Sequence, residues 1–72
     1  MIEKPKYIKI KKLPIRFGQF LKLTNLVQDG FEAKMKILKQ EVLVNGIIET
    51  RRGRKLQKGD TVTLNEKTFR IF

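Results

Sequence analysis

Val42-Leu43-Val44-Asn45-Gly46-Ile47-Ile48-Glu49 leads, after Thr50, into Arg51-Arg52-Gly53-Arg54-Lys55. A short apolar run, a turn and a second short run give way to a dense cationic segment. Asn and Gly both tolerate φ > 0, so Asn45-Gly46 between Val42 to Val44 and Ile47 to Glu49 predicts a hairpin with a two-residue turn. The arginines then follow a rigid ribbon. Three guanidiniums and an ammonium within five residues, with no acid among them, repel one another unless they are solvated or share an anion that accepts bidentate hydrogen bonds. Phosphate is such an anion.

The pattern outside this stretch completes a fold. Upstream, Lys6 to Lys11 alternates, with Ile8 and Ile10 on one face, the period of a half-buried strand. Pro14 ends it. From Arg16 or Phe17 to about Gln28, the apolar positions Phe17, Phe20, Leu21, Leu23, Leu26 and Val27 include the spacings of a helix. Asp29-Gly30-Phe31-Glu32 reads as a capping box, with Asp29 accepting from the Glu32 N–H and Glu32 reaching back to the Asp29 N–H. A second helix should run from Gly30 to about Lys39, burying Ala33, Ile37, Leu38 and Phe31. Downstream, Val42, Val44, Ile48, Val62, Leu64, Phe69 and Ile71 are the inward candidates. Lys58-Gly59-Asp60 and Asn65-Glu66 punctuate the entry to and exit from a strand at Thr61 to Leu64, and a last strand spans Lys67 to Ile71. The order implies a small α+β domain: a helical hairpin packed on a short, mainly antiparallel sheet of three to five strands. Residues 1–72 read as one domain.

Composition narrows the function. A chain of 72 residues has a small core to work with. His, Cys, Ser and Trp are absent, which removes the usual nucleophiles, the usual base, and thiolate or imidazole zinc sites. No metal, cofactor, small-molecule substrate or catalytic residue is expected. Asp29, Glu32 and Asp60 are explained by capping and turns. Against 7 acids stand 17 Lys and Arg, for a formal charge of +10 and a pI near 10.3, which favours a polyanionic partner. The excess is spread along the chain, so the fold must gather it. Met1 to Lys12 lacks the apolar segment of a signal peptide, and no apolar run approaches a membrane span; the expectation is a cytoplasmic protein without membrane contact.

One resemblance is specific. Arg16-Phe17-Gly18-Gln19-Phe20-Leu21-Lys22, Ala33-Lys34, Val42-Leu43-Val44-Asn45-Gly46 and Gly59-Asp60, in that order and spacing, resemble the RNA-binding domain of ribosomal protein S-four, the alpha-L motif, over residues 16–64. Gly18 to Lys22 together with Arg51 to Leu56 most resembles the small stand-alone bacterial proteins of the YaaA and YbcJ type. The resemblance implies a protein that binds structured RNA, ribosomal RNA in particular, during ribosome assembly or translation, with one face built from both helices and the loop after the hairpin. Arg16 matches the basic residue opening the family's first helix, Lys22 a basic residue about one turn on, and Lys34 the Ala-Lys pair of the second helix. Gly18 departs, standing where many members carry an acidic residue. Asn25 and Asp29 replace positions often basic, which shifts weight to the loop.

The residues expected to contact RNA are therefore Arg16, Lys22, Lys34, Arg51, Arg52, Arg54 and Lys55, with the loop as the main phosphate clamp. A-form RNA is recognised mainly through shape, phosphates and 2′-hydroxyls. The lysines between Lys4 and Lys12 read as solvated surface that adds a diffuse field, and Phe17, Phe20, Phe31 and Phe69 as core. Three classes remain open on the residues alone. The first is an RNA-binding module, acting as a monomer. The second is a basic adaptor for an acidic protein or duplex DNA. The third, an enzyme, has no chain left to hold an active site.

Overall fold

In the computed structural model, which describes residues 4–72, the hairpin forms about Asn45 (φ 53°) and Gly46 (φ 81°). The elements in chain order are β1 (Lys6–Ile8), β2 (Ile15–Arg16), α1 (Phe17–Leu23), α2 (Gly30–Leu38), β3 (Val42–Val44), β4 (Ile47–Ile48), β5 (Lys55–Leu56), β6 (Thr61–Leu64) and β7 (Lys67–Ile71). Five strands make one sheet in the order β1-β7-β6-β3-β4; β2 and β5 make a separate two-stranded ribbon. Every pairing is antiparallel except β1 with β7. This is the α+β arrangement that the pattern implies, with a helical hairpin on a five-stranded sheet. The stretch Met1 to Lys12 read above for a signal peptide includes Met1 to Glu3, which lie outside the described residues.

Asn45 also ties the hairpin to its neighbour. Its side-chain oxygen accepts from the Thr61 N–H (2.9 Å), and its amide donates to Asp60 (3.1 Å). Asp60 in turn accepts from the Gln57 N–H, closing the turn at Gly59 (φ 91°). A second two-residue turn at Asn65 and Glu66, both with positive φ, joins β6 to β7.

The core brings Phe17, Phe20, Leu21, Val27, Ala33 and Ile37 together with Val42, Val44, Leu56, Val62, Leu64 and Ile71. Three expectations about it need correction. Ile48 is exposed, as is Ile47 opposite the buried Val44: β4 is a two-residue strand at the edge of the sheet, and both of its side chains stay accessible. Phe31 and Leu38 are exposed as well. Ala33 and Ile37, one turn apart, define the buried stripe of α2, and at 3.6 residues per turn Phe31 lies roughly 200° from Ala33. Phe69 is half-buried against the cluster.

The first helix is shorter than its apolar spacing suggests. It stops at Leu23, because Asn25 adopts φ 60° and the chain closes a Schellman motif: the Asn25 N–H donates to the Lys22 carbonyl and the Leu26 N–H to the Leu21 carbonyl. Thr24 Oγ1 donates to the Phe20 carbonyl and competes with continuation. Val27 still reaches the core, through the turn rather than the helix. Gln40 (φ 61°) ends α2 in the same way, with Gln40 N–H on the Ile37 carbonyl and Glu41 N–H on that of Lys36. At the start of α2, Asp29 caps the Glu32 N–H at 2.8 Å as expected, but Glu32 accepts from the Gln28 N–H, one residue beyond the Asp29 N–H expected of a capping box.

Candidate RNA interface

The arginine-rich loop already contains an anion. Glu49, whose side chain is 8 % exposed, accepts from Arg51 Nε and Nη2, both at 3.1 Å, and from Arg54 Nη1 at 2.8 Å. It also accepts from the Arg51 backbone N–H. The bidentate partner that the run of guanidiniums needs is thus internal, two residues before the first of them. These bonds, led by that from the Arg51 side chain and then that from Arg54, hold the Glu49 carboxyl well below its usual range, at about 2, against the opposing effect of burial. The same contact raises the Arg51 pKa further.

This pairing shapes the loop. With its ends tied to Glu49, the segment presents the Arg52 and Arg54 carbonyls to the start of α1, where they accept from the Gly18 N–H (3.1 Å) and the Phe17 N–H (2.7 Å). The first donors of a helix have no partner within it, so the loop meets a need that no side chain at Arg16 fulfils. The short β2–β5 ribbon reinforces the junction by pairing Ile15 with Leu56 and Arg16 with Lys55. Close packing explains Gly18. A Cβ there would come within 2.9 Å of Arg52 Cγ, so the bare glycine leaves the space that the Arg52 side chain occupies.

The consequence is a groove of about 320 Å3 between the two helices and the loop, lined by Arg16, Gly18, Gln19, Lys22, Gly30, Ala33, Arg52 and Gly53. Three of the seven residues singled out from the sequence, Arg16, Lys22 and Arg52, meet there. Lys55 stands directly across the ribbon from Arg16. Like charges in directly opposed positions are unfavourable unless an anion or solvent intervenes. Lys34 is exposed on α2, one turn beyond Gly30, and is not in the groove wall. Arg51 and Arg54 are turned to Glu49, Arg51 remaining 76 % exposed and Arg54 32 %. Among the described residues, Arg16, Lys22, Lys34, Arg52 and Lys55 form no ion pair with a carboxylate.

Sequence reasoning missed Glu49, Gln19 and Gly30 as parts of the site. For Glu49 a signal was present: it is the nearest acid before the arginines. The β2–β5 ribbon has none, being two residues long on each side. A second groove, of about 410 Å3, is bounded by Lys9, Ile10, Lys11, Leu13, Lys58 and Phe72. Tyr7 packs edge-on against Phe72 beside it, with ring centroids 6.2 Å apart. Among the described residues no cluster of three or more acids could hold a metal ion, and no helix is long and apolar enough to cross a membrane.

A helical hairpin on a small sheet, with a cationic groove where the hairpin meets an arginine-rich loop, defines a class of protein built around a surface for anionic ligands. The chain belongs to the S4 domain family of RNA-binding domains, whose model matches residues 8–72. It is also similar to a protein of Bacillus subtilis (strain 168) described as a probable ribosome maturation protein, RlbA, at 50% identity over 50 residues that make up 69% of this chain and 70% of that one.

Proposed function

We propose that this protein binds structured RNA, ribosomal RNA in particular, and acts in ribosome maturation as a binding module rather than an enzyme. The observation that carries the reading is the meeting of Arg16, Lys22 and Arg52 on one groove, with Lys55 opposite Arg16. Membership of the S4 domain family and the likeness to a ribosome maturation protein support it. The groove cations contact phosphates directly. Arg51 and Arg54 hold the loop through Glu49, and the exposed Arg51 adds an outer contact. Lys34 extends the same surface along α2. The protein acts as a monomer in the cytoplasm.

Three phosphate contacts predict a salt slope of about −2.1 to −2.7, which is a loss of about 20- to 40-fold in affinity between 50 and 200 mM salt. The test is titration with a structured ribosomal RNA fragment and with duplex DNA of matched charge at both salt concentrations. RNA binding that survives the higher salt while DNA binding does not is the expected result. Equal decay of both would mean a non-specific field and direct attention to an acidic protein partner.

A further inference from the structure

Phe31 is the most exposed aromatic side chain among the described residues, 72 % accessible, and helix geometry turns it away from the core. A lone exposed apolar residue is ordinary on a protein surface. Its place is not. Phe31 directly follows Gly30, which forms part of the groove wall, and precedes Lys34 by three residues, so the two exposed residues share the outer face of α2. Gly30 and Gly53 put no side chain into the space beside them: a Cβ at either would meet nothing within 4 Å. The groove is thus open beside Gly30, and the next residue along α2 carries an accessible flat ring on the outer face of the helix.

Phosphates need the first, and an unstacked base needs the second. Duplex RNA offers its phosphates but keeps its bases stacked, whereas bulges and loops present bases that aromatic side chains can stack on. We infer that the surface takes RNA at an unpaired nucleotide beside a helix, with phosphates at Arg16, Lys22 and Arg52 and the extruded base on Phe31. This rests on the RNA reading above and deepens it from structured RNA in general to RNA interrupted by an unpaired base. Leu23, exposed beside the groove residue Lys22, offers apolar area but no flat ring on which a base could stack.

Two hairpins derived from ribosomal RNA, identical except that one carries a single bulged adenosine, separate stacking from charge. Wild-type protein is expected to prefer the bulged hairpin. Phe31→Ala should lose about tenfold in affinity for it and little for the paired one, with an unchanged salt slope, since no phosphate contact is removed. Because the chain has no tryptophan, Phe31→Trp provides a single reporter whose emission the bulged hairpin should quench. Arg52→Gln should weaken both hairpins alike. If Phe31→Ala binds both as wild type does, or the tryptophan emission is unmoved while RNA is bound, stacking at Phe31 is wrong and the RNA reading survives. If the wild-type protein binds neither hairpin, the RNA reading falls and this inference with it.

Discussion

At Glu49 a single carboxylate organises two arginines, and its protonation should be visible in stability. Its pKa is depressed to about 2 in the folded protein from a usual value of 4.5. A depressed carboxylate stabilises the fold fully above the unfolded value and loses that contribution as pH falls through the folded one. Stability should therefore be flat with respect to this group above about pH 5 and decline between about 4.5 and 2. Glu49→Gln should lower stability at pH 7 by about 1–2 kcal/mol, discounted because the arginines can turn to water. The same variant should lose most of the acid dependence, a comparison that urea denaturation at pH 7 and pH 3 would settle. Charge alone predicts tighter RNA binding for Glu49→Gln, since net charge rises by one; the role of Glu49 in holding the loop predicts weaker binding. At Gly18 the prediction is different in kind. Gly18→Ala gains roughly 1 kcal/mol of helix propensity but must push Arg52 aside. Near-wild-type thermal stability with clearly weaker RNA binding is expected.

At the scale of elements, the turn that ends α1 decides how the hairpin sits. Asn25 occupies the left-handed position that a Schellman motif requires. Its short side chain makes that conformation tolerable, and glycine would tolerate it better. Asn25→Gly should be neutral or slightly stabilising, while Asn25→Val should cost about 1–2 kcal/mol, as measured by chemical denaturation. Were Asn25→Val to be neutral, α1 would simply extend toward Gln28, as its apolar spacing suggests. Asp29→Ala removes the cap of α2 and should cost about 1 kcal/mol. The two helices bear on the groove through Lys22, Gly30 and Ala33. A loosened turn should therefore weaken RNA binding in proportion to the stability lost.

For the molecule as a whole, the formal charge of +10 acts at two ranges. On the proposed reading, the groove cations set affinity and its salt slope. The lysines of the other basic surface, Lys9, Lys11 and Lys58 around the second groove, add to the long-range field that steers an anionic partner. Replacing these three by Gln should slow association several-fold at low salt, with little change in the dissociation rate. Replacing Arg16, Lys22 and Arg52 by Gln should flatten the salt slope by about 2 to 3 and speed dissociation. Stopped-flow association and dissociation rates measured at two salt concentrations distinguish the groups. Equal effects from both sets would mean that the groove has no special place in binding.

Some of this is local chemistry and could be read in the chain. Asn45-Gly46 forms its turn because two consecutive residues there can take positive φ, and Ala33, Ile37, Val42, Val44, Val62 and Leu64 are buried because their spacing matches helix and strand. The class of fold and the cationic character follow from such patterns. What the chain could not disclose depends on contacts between residues distant in sequence or on departures from periodicity. Apolar spacing ran through Asn25 to Val27 as though the helix continued, but backbone hydrogen bonding at the turn stopped it. Phe31 looked like core because it is aromatic; only the direction fixed by Ala33 and Ile37 turned it outward. Four arginines and lysines looked like one clamp, yet tertiary geometry divided them: Arg51 and Arg54 turned to Glu49, while Arg52 packed over Gly18 and joined Arg16 and Lys22. Sequence determined which charges the protein carries, and tertiary structure decided which of them remain available to a ligand, because a guanidinium satisfied by a nearby carboxylate has less to gain from a phosphate.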